Sequence, residues 1–442
     1  MESTKYAATP QDRMNYILGH FSANQQINAV LFLNYHISKE LLKESVLVTM
    51  EIEPVLKCRF VVDDIPYWEE HPSPSSLPVT FFKEGQDQDI EKMAIEFIEE
   101  PGNFIKDPMV QMKLLRGNTR DILVIKLSHL CTDGAGVKAY MNMLGNVYTR
   151  LSLGQLKDEI IKGYHKSGER DQSLVFHHAG ITDIKSAYQP NHEPKASLWS
   201  FPSRLNGNEF PKMSVRRLTR EQTQRLTQWA KVHQATINDV IMTAYFRALS
   251  RVAVYAEPRT TEKMIGLTID LRRCLPEDAV SPICNLSGME MPEIKLEADE
   301  DFLQTLDRVK KSMKKIKSQN PGLSSAAGME LLAGMKLSAV KDMYKQQHEQ
   351  ALHTGMALPL LTNFGVVTGE PITFGGIQAE DGYITSPVMY APFFTLGASS
   401  YNGRLTFTIG YHTPGTAEEN VNLFLDRIVN QLLDQCNQLN VN

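Results

Sequence analysis

Cysteine is scarce in this chain of 442 residues: five occur, Cys58, Cys131, Cys274, Cys284 and Cys436, and none forms a C-x-x-C pair. An odd number of widely spaced thiols argues against a disulfide framework or a cysteine zinc knuckle and reads as reduced side chains in a cytoplasmic setting. Long apolar runs are missing as well, and the N-terminal MESTKYAATPQDRMN has no basic patch followed by an apolar core. Neither a membrane span nor a secretion signal is therefore encoded. Charge of one sign is not in excess: 46 basic side chains face 51 acidic ones, for a net charge of −5. A broad electrostatic footprint for nucleic acid is excluded on that balance. The 12 histidines show no H-x-x-x-H spacing, so no metal site is expected. What remains is ordinary globular composition, 42% hydrophobic and 22% charged, in a chain long enough for two or three units with cores of their own.

Periodicity sketches those units. QINAVLFLNYH at 26–36 reads as a largely buried strand; Ser38 offers an N-cap for a helix to about Ile52, which Pro54 ends. Residues 57–68 read as a hairpin turned at Asp63-Asp64, and 90–98 as a helix. Strands follow at 109–115 and 121–127 around Gly117-Asn118, then a Gly134-Ala135-Gly136 punctuation and a helix over 137–151. A polar, irregular stretch around Pro190, His192, Pro194 and Pro202 marks a linker, giving an expected division into a first lobe at 1–170, a linker at 171–210 and a second lobe at 211–442. The second lobe opens with MSVRRL as a strand and carries helices at 219–232, 236–252 and 417–439, with strands at 263–271, 361–368, 392–400 and 404–411. Lys310, Lys311, Lys314, Lys315 and Lys317 form a solvated helix face or, in the sharper reading, a docking surface for an anionic donor such as a CoA phosphate.

One segment carries chemistry. Ser128-His129-Leu130-Cys131-Thr132-Asp133-Gly134 fits H-x-x-x-D-G, for which about 0.04 chance matches are expected in this composition. A strand end before a Gly-rich turn can aim one imidazole into a cleft, and histidine has the pKa to take a proton from a hydroxyl or amine near neutral pH. Asp133 reads as an anchor whose carboxylate accepts backbone or arginine hydrogen bonds, not as a second base. Cys131 reads as a buried filler, and the pair His177-His178, with no acidic residue to complete a site, as a loop without a role.

H-x-x-x-D-G in this setting resembles the chloramphenicol acetyltransferase-like superfamily, which includes condensation domains of peptide synthetases, wax-ester and alcohol acyltransferases and BAHD acyltransferases. EPVLKCRFVVDDIPYW, DILVIKLSHLCTDG, TINDVIMTAYFRAL, LTIDLRRCLP and SSYNGRLTFTIGYH carry the likeness along nearly the whole chain. It implies an α/β (α+β) fold of two similar lobes, each a mixed sheet flanked by helices, with a tunnel between them. It implies His129 as general base, Asp133 as partner of an arginine from the second lobe, Gly134 as the residue that permits the tight loop, and Arg272, with Arg273 as fallback, as that arginine. Asn363 and Ser400 fall near segments that approach the tunnel and are candidates for holding an oxyanion.

The activity so implied is acyl transfer from a thioester to an alcohol or amine, with no bound cofactor. Condensation domains commonly show two adjacent histidines; Ser128 stands at the first place here, which shifts weight toward a stand-alone acyltransferase but does not separate alcohol-forming from amide-forming members, of which O-acylation is the expectation. The expected partners are a small-molecule acceptor and a donor supplied in trans, acyl-CoA or a separate carrier protein, and the expected state is a monomer. The rival expectation is a catalytically silent relative that binds a carrier protein or ligand in the same cleft.

Overall fold

The computed structural model describes residues 5–71, 78–83, 85–104, 106–164, 170–189, 199–204, 207–255, 262–276 and 279–438. The first lobe is built on a six-stranded sheet ordered Thr373–Phe374, Ile377–Thr385, Gln26–Leu33, Asp121–Ser128, Val110–Arg116, Val79–Lys83. Its last pair is parallel and its central pairs antiparallel. Gln26–Leu33 and Asp121–Ser128 are buried at every position, which explains why their sequences run apolar on both faces instead of alternating. Helices Lys39–Ile52 and Gly134–Ser152 cover one face through Leu42, Val46, Tyr140 and Leu144. Helix Asp87–Glu99 covers the other with Ile90, Ala94, Phe97 and Ile98.

The second lobe carries the sheet Ser287–Glu290, Gly266–Asp270, Leu360–Val366, Thr395–Tyr401, Arg404–Pro414, Val388–Met389, with Asn208–Arg217 pairing along Arg404–Pro414. Parallel and antiparallel pairs again mix. Helices Arg220–Val232, Ile237–Leu249, Phe302–Lys317 and Glu418–Gln438 close over it, joined by Trp229, Phe246, Val309 and Phe424. The two lobes exchange chain: Ile377–Thr385, inside the stretch expected to build the second lobe, pairs antiparallel with Gln26–Leu33 in the first lobe's sheet.

Several local expectations change. The helix read over 137–151 begins at Gly134, because the Asp133 side chain caps it by accepting from Gly136 N, so the glycine punctuation is its first turn. The run at 263–271 breaks in two, Glu262–Met264 pairing with Glu293–Lys295 and Gly266–Asp270 joining the main sheet. Of the linker, Pro190, His192 and Pro194 lie outside the described residues; the described part holds helices Ser173–His178 and Ile184–Ala187, with Val175 and Phe176 buried against Leu271 and Cys284. His177 and His178 are exposed, as are Lys311, Lys314, Lys315 and Lys317, while Lys310 donates to the His233 carbonyl at 2.9 Å. No helix among the described residues is long and apolar enough to cross a membrane.

Candidate active site

The buried strand Asp121–Ser128 ends in the middle of the first sheet and the chain turns at once through residues 129–133 into helix Gly134–Ser152. His129 stands at that turn. Its Nδ1 lies 2.8 Å from the Thr132 carbonyl oxygen, which can only accept, so Nδ1 carries the proton and Nε2 presents its lone pair. Nε2 has no hydrogen-bond partner among the described residues. Asn15 Nδ2 approaches Nδ1 at 3.4 Å, but its real bond is to the His129 carbonyl at 2.7 Å. Burial lowers the His129 pKa, against the opposing influence of the Thr132 carbonyl and the Asp133 charge. The ring is thus held neutral and oriented.

Both carboxylate oxygens of Asp133 are spent on structure. Oδ1 accepts from Gly136 N at 3.0 Å; Oδ2 accepts from Leu286 N at 2.8 Å and pairs with Arg272 Nη1 at 2.9 Å. Burial would raise its pKa, but Arg272 and the two backbone donors outweigh that and hold it below the usual carboxylate value. Arg272 sits in the single helical turn Leu271–Cys274, capped by Asp270, and its Nη2 reaches the Cys284 carbonyl at 2.8 Å. Arg273 instead donates to the Pro321 carbonyl at 2.7 Å, so the arginine that meets Asp133 is Arg272.

Gly134 has its place for a reason other than loop conformation: it is not among the left-handed residues. A Cβ there would lie 2.5 Å from Phe364 Cε1, so the aromatic ring from the second lobe requires the bare backbone. Phe364 belongs to strand Leu360–Val366, at a bulge between Asn363 and Gly365. Asn363 shares the site, its Oδ1 accepting from Gly365 N at 2.9 Å and its Nδ2 donating to Asn238 Oδ1 at 3.1 Å. Ser400 does not reach it. Its neighbour Ser399 turns toward the first lobe, where its hydroxyl accepts from Ile384 N, and strand alternation sends Ser400 to the opposite face.

His129, Gly134, Lys138, Thr268, Asp270 and Asn363 line one cleft of about 140 Å³ at the seam of the lobes. A larger cavity, about 480 Å³, is lined by Arg247, Arg427 and Glu300 at the far end of helix Ile237–Leu249, and it contains none of these groups. The oriented imidazole lines the smaller cleft.

Sequence reasoning missed the support beneath the turn. Arg170 and Asp12 form a buried two-pronged pair, Nη1 to Oδ2 at 3.0 Å and Nη2 to Oδ1 at 3.1 Å, and Arg170 also donates to the Cys131 carbonyl. Asn285 Nδ2 lies within 3.0 Å of Asp12 Oδ1 and of the His129 and Leu130 carbonyls. Cys131 is fully buried, its thiol pushed well up by that burial, which makes it packing and not a nucleophile. Among the described residues no group of three or more His, Cys, Asp or Glu could hold a metal ion.

A family model described as the condensation domain matches residues 2–325. The chain belongs to the condensation-domain family. No curated protein matches it in sequence. Solved structures match it throughout. The first condensation domain of the CDA synthetase is 13% identical at a TM-score of 0.71, over 99% of this chain and 97% of that one. Trichothecene 15-O-acetyltransferase from Fusarium sporotrichioides is 14% identical at 0.68, over 98% and 96%. The starter condensation domain of rhizomide synthetase, solved as a variant with C8-CoA, is 15% identical at 0.62, over 98% and 95%. At these identities the likeness shows the fold. This condensation-family chain is therefore two-lobed in the manner of the chloramphenicol acetyltransferase-like proteins.

Proposed function

We propose that the protein is an acyltransferase in which His129 Nε2 takes the proton from an acceptor hydroxyl, or an amine, as that atom attacks the carbonyl carbon of an acyl thioester. The single observation that carries the reading is the Nδ1 bond to the Thr132 carbonyl, which leaves an oriented lone pair on a ring that lines the cleft. The tetrahedral oxyanion is held by backbone N–H groups of Gly134 and Ala135, which open a 19-residue helix and line the cleft, with Asn363 alongside. Collapse breaks the carbon–sulfur bond, and the proton on Nε2 passes to the leaving thiolate. Asp133 and Arg272 hold the turn and transfer no proton. The scheme requires no metal or redox cofactor.

Acyl-CoA is the preferred donor, supported by the neighbour solved with C8-CoA, and a carrier-bound thioester uses the same chemistry. An alcohol acceptor is favoured by the O-acetyltransferase neighbour. The test is thiol release from a panel of acyl-CoAs offered with mixed alcohols and amines, beside calorimetric binding under the same conditions. Turnover with at least one pair is expected. Binding without turnover across the panel would instead assign the chain to the catalytically silent, ligand-recruiting class.

A further inference from the structure

Lys138 lies one turn beyond Gly134 on the helix that Asp133 caps, so the two residues share a face of that helix. Its Nζ donates at 2.9 Å to the carbonyl oxygen of Phe364, across the seam of the lobes. That carbonyl is available because of the bulge. Strand Leu360–Val366 pairs Asn363 with Ala398 and then Gly365 with Ser399, which leaves Phe364 between them without a ladder partner. Gly365 takes a left-handed φ of 66° to make the step. Phe364 is thus gripped twice from the motif helix: its ring rests on Gly134 and its oxygen on Lys138. Lys138 lines the same cleft as His129, and burial lowers its pKa against the opposing charges of Asp270 and Asp133. A lysine placed half-buried for one carbonyl is an expensive choice where a shorter polar side chain could serve a surface bond.

We propose that Lys138 is a positioning residue that clamps the bulged strand carrying Asn363 and Phe364 to the motif helix and so sets the width of the cleft opposite His129. The clamp acts on reacting geometry, so its loss lowers kcat more than it changes KM. In its catalytic consequence the inference rests on the acyl-transfer reading; in its mechanical part it does not.

The test compares Lys138→Met, which keeps the stem and removes the donor, with Lys138→Arg, which restores one. Hydrogen–deuterium exchange over residues 360–367 reads the clamp, and thiol release with a saturable acyl-CoA and acceptor reads the consequence. Expected for Lys138→Met are faster exchange confined to that segment and a kcat lower by about 10- to 100-fold with KM within about three-fold, both largely reversed in Lys138→Arg. Unchanged exchange overturns the clamp. Faster exchange with unchanged kcat overturns the positioning role, as does a kcat loss that Lys138→Arg does not reverse. If the wild-type protein turns over no pair in the panel, the acyl-transfer reading fails by itself, and the exchange comparison still decides the clamp.

Discussion

At the scale of single residues, the site depends on which ring nitrogen of His129 holds the proton. The Thr132 carbonyl assigns it to Nδ1, and burial keeps the second proton off Nε2. A base with a depressed pKa is already competent below neutrality, so the sign is determined. Activity as kcat/KM rises with pH through an apparent pKa below 6.5, the ordinary histidine value, and is level from there upward. A limb centred above pH 7 in the pH–rate profile would contradict this environment for the ring. His129 and Asp133 stood out in the sequence because a strand end and a four-residue spacing are local signals, whereas Arg272 came from the likeness of LTIDLRRCLP to the family and from no local signal. Lys138, Asn15, Asn285, Asp12 and Arg170 did not stand out. Each is a lone polar side chain whose partner lies far along the chain, such as Asp12 and Arg170, 158 residues apart, and no periodicity marks such a pair. Ser400 was placed in the right strand and on the wrong side of it, a matter of a one-residue alternation.

Elements set the turn's rigidity. The carboxylate of Asp133 caps one helix, holds the backbone of Leu286 and neutralises Arg272, so a single group fastens three pieces of chain. Removing the arginine leaves a buried, uncompensated carboxylate. Arg272→Met is expected to cost about 3–5 kcal/mol in urea unfolding, and a loss below about 1 kcal/mol would show the pair to be incidental. Gly134→Ala drives a methyl group into the Phe364 ring; unless the second lobe's strand retreats, about 1–3 kcal/mol is lost, and turnover falls with it as the cleft changes shape. A Gly134→Ala protein with native stability and turnover would contradict the close-approach explanation. Most helices and strands were readable from period, and one helix start from its cap at Ser38; the capping boxes at Thr219 and Thr236 are seen only in the structure. Strand Ile377–Thr385 was not readable, since Asp381-Gly382 interrupts IQAEDGYIT and a bulge falls between Ala379 and Asp381. That strand is also the one that changes lobes.

Across the whole molecule, the lobes are fastened by the segment at 281–286, which leaves the second lobe to run along the motif turn. Ile283 enters the first lobe's core, its carbonyl takes Arg170, and Ser281 Oγ donates to Glu53 Oε2 at 2.8 Å. Burial raises Glu53 to about 7, against the Ser281 bond and the Arg170 charge, from an ordinary 4.5. The folded state therefore retains a proton that the unfolded chain has already released between those values. The Glu53 contribution to stability is lost as pH climbs from about 4.5 to 7 and is level above, on the order of 3 kcal/mol. Glu53→Gln keeps an acceptor for Ser281 and removes the titration, so the drop in unfolding free energy from pH 5 to pH 8 should shrink in the variant. An identical drop in both proteins would place the dependence elsewhere. The seam matters because the cleft is defined by both lobes, and the proposed proton transfer by a ring that only one of them supplies. The most direct test of that transfer is His129→Ala, followed by thiol release and by calorimetric titration with the same acyl-CoA. Release is predicted to fall by about 10²- to 10⁴-fold while the donor still binds with similar affinity; release within a few-fold of the native protein would contradict it.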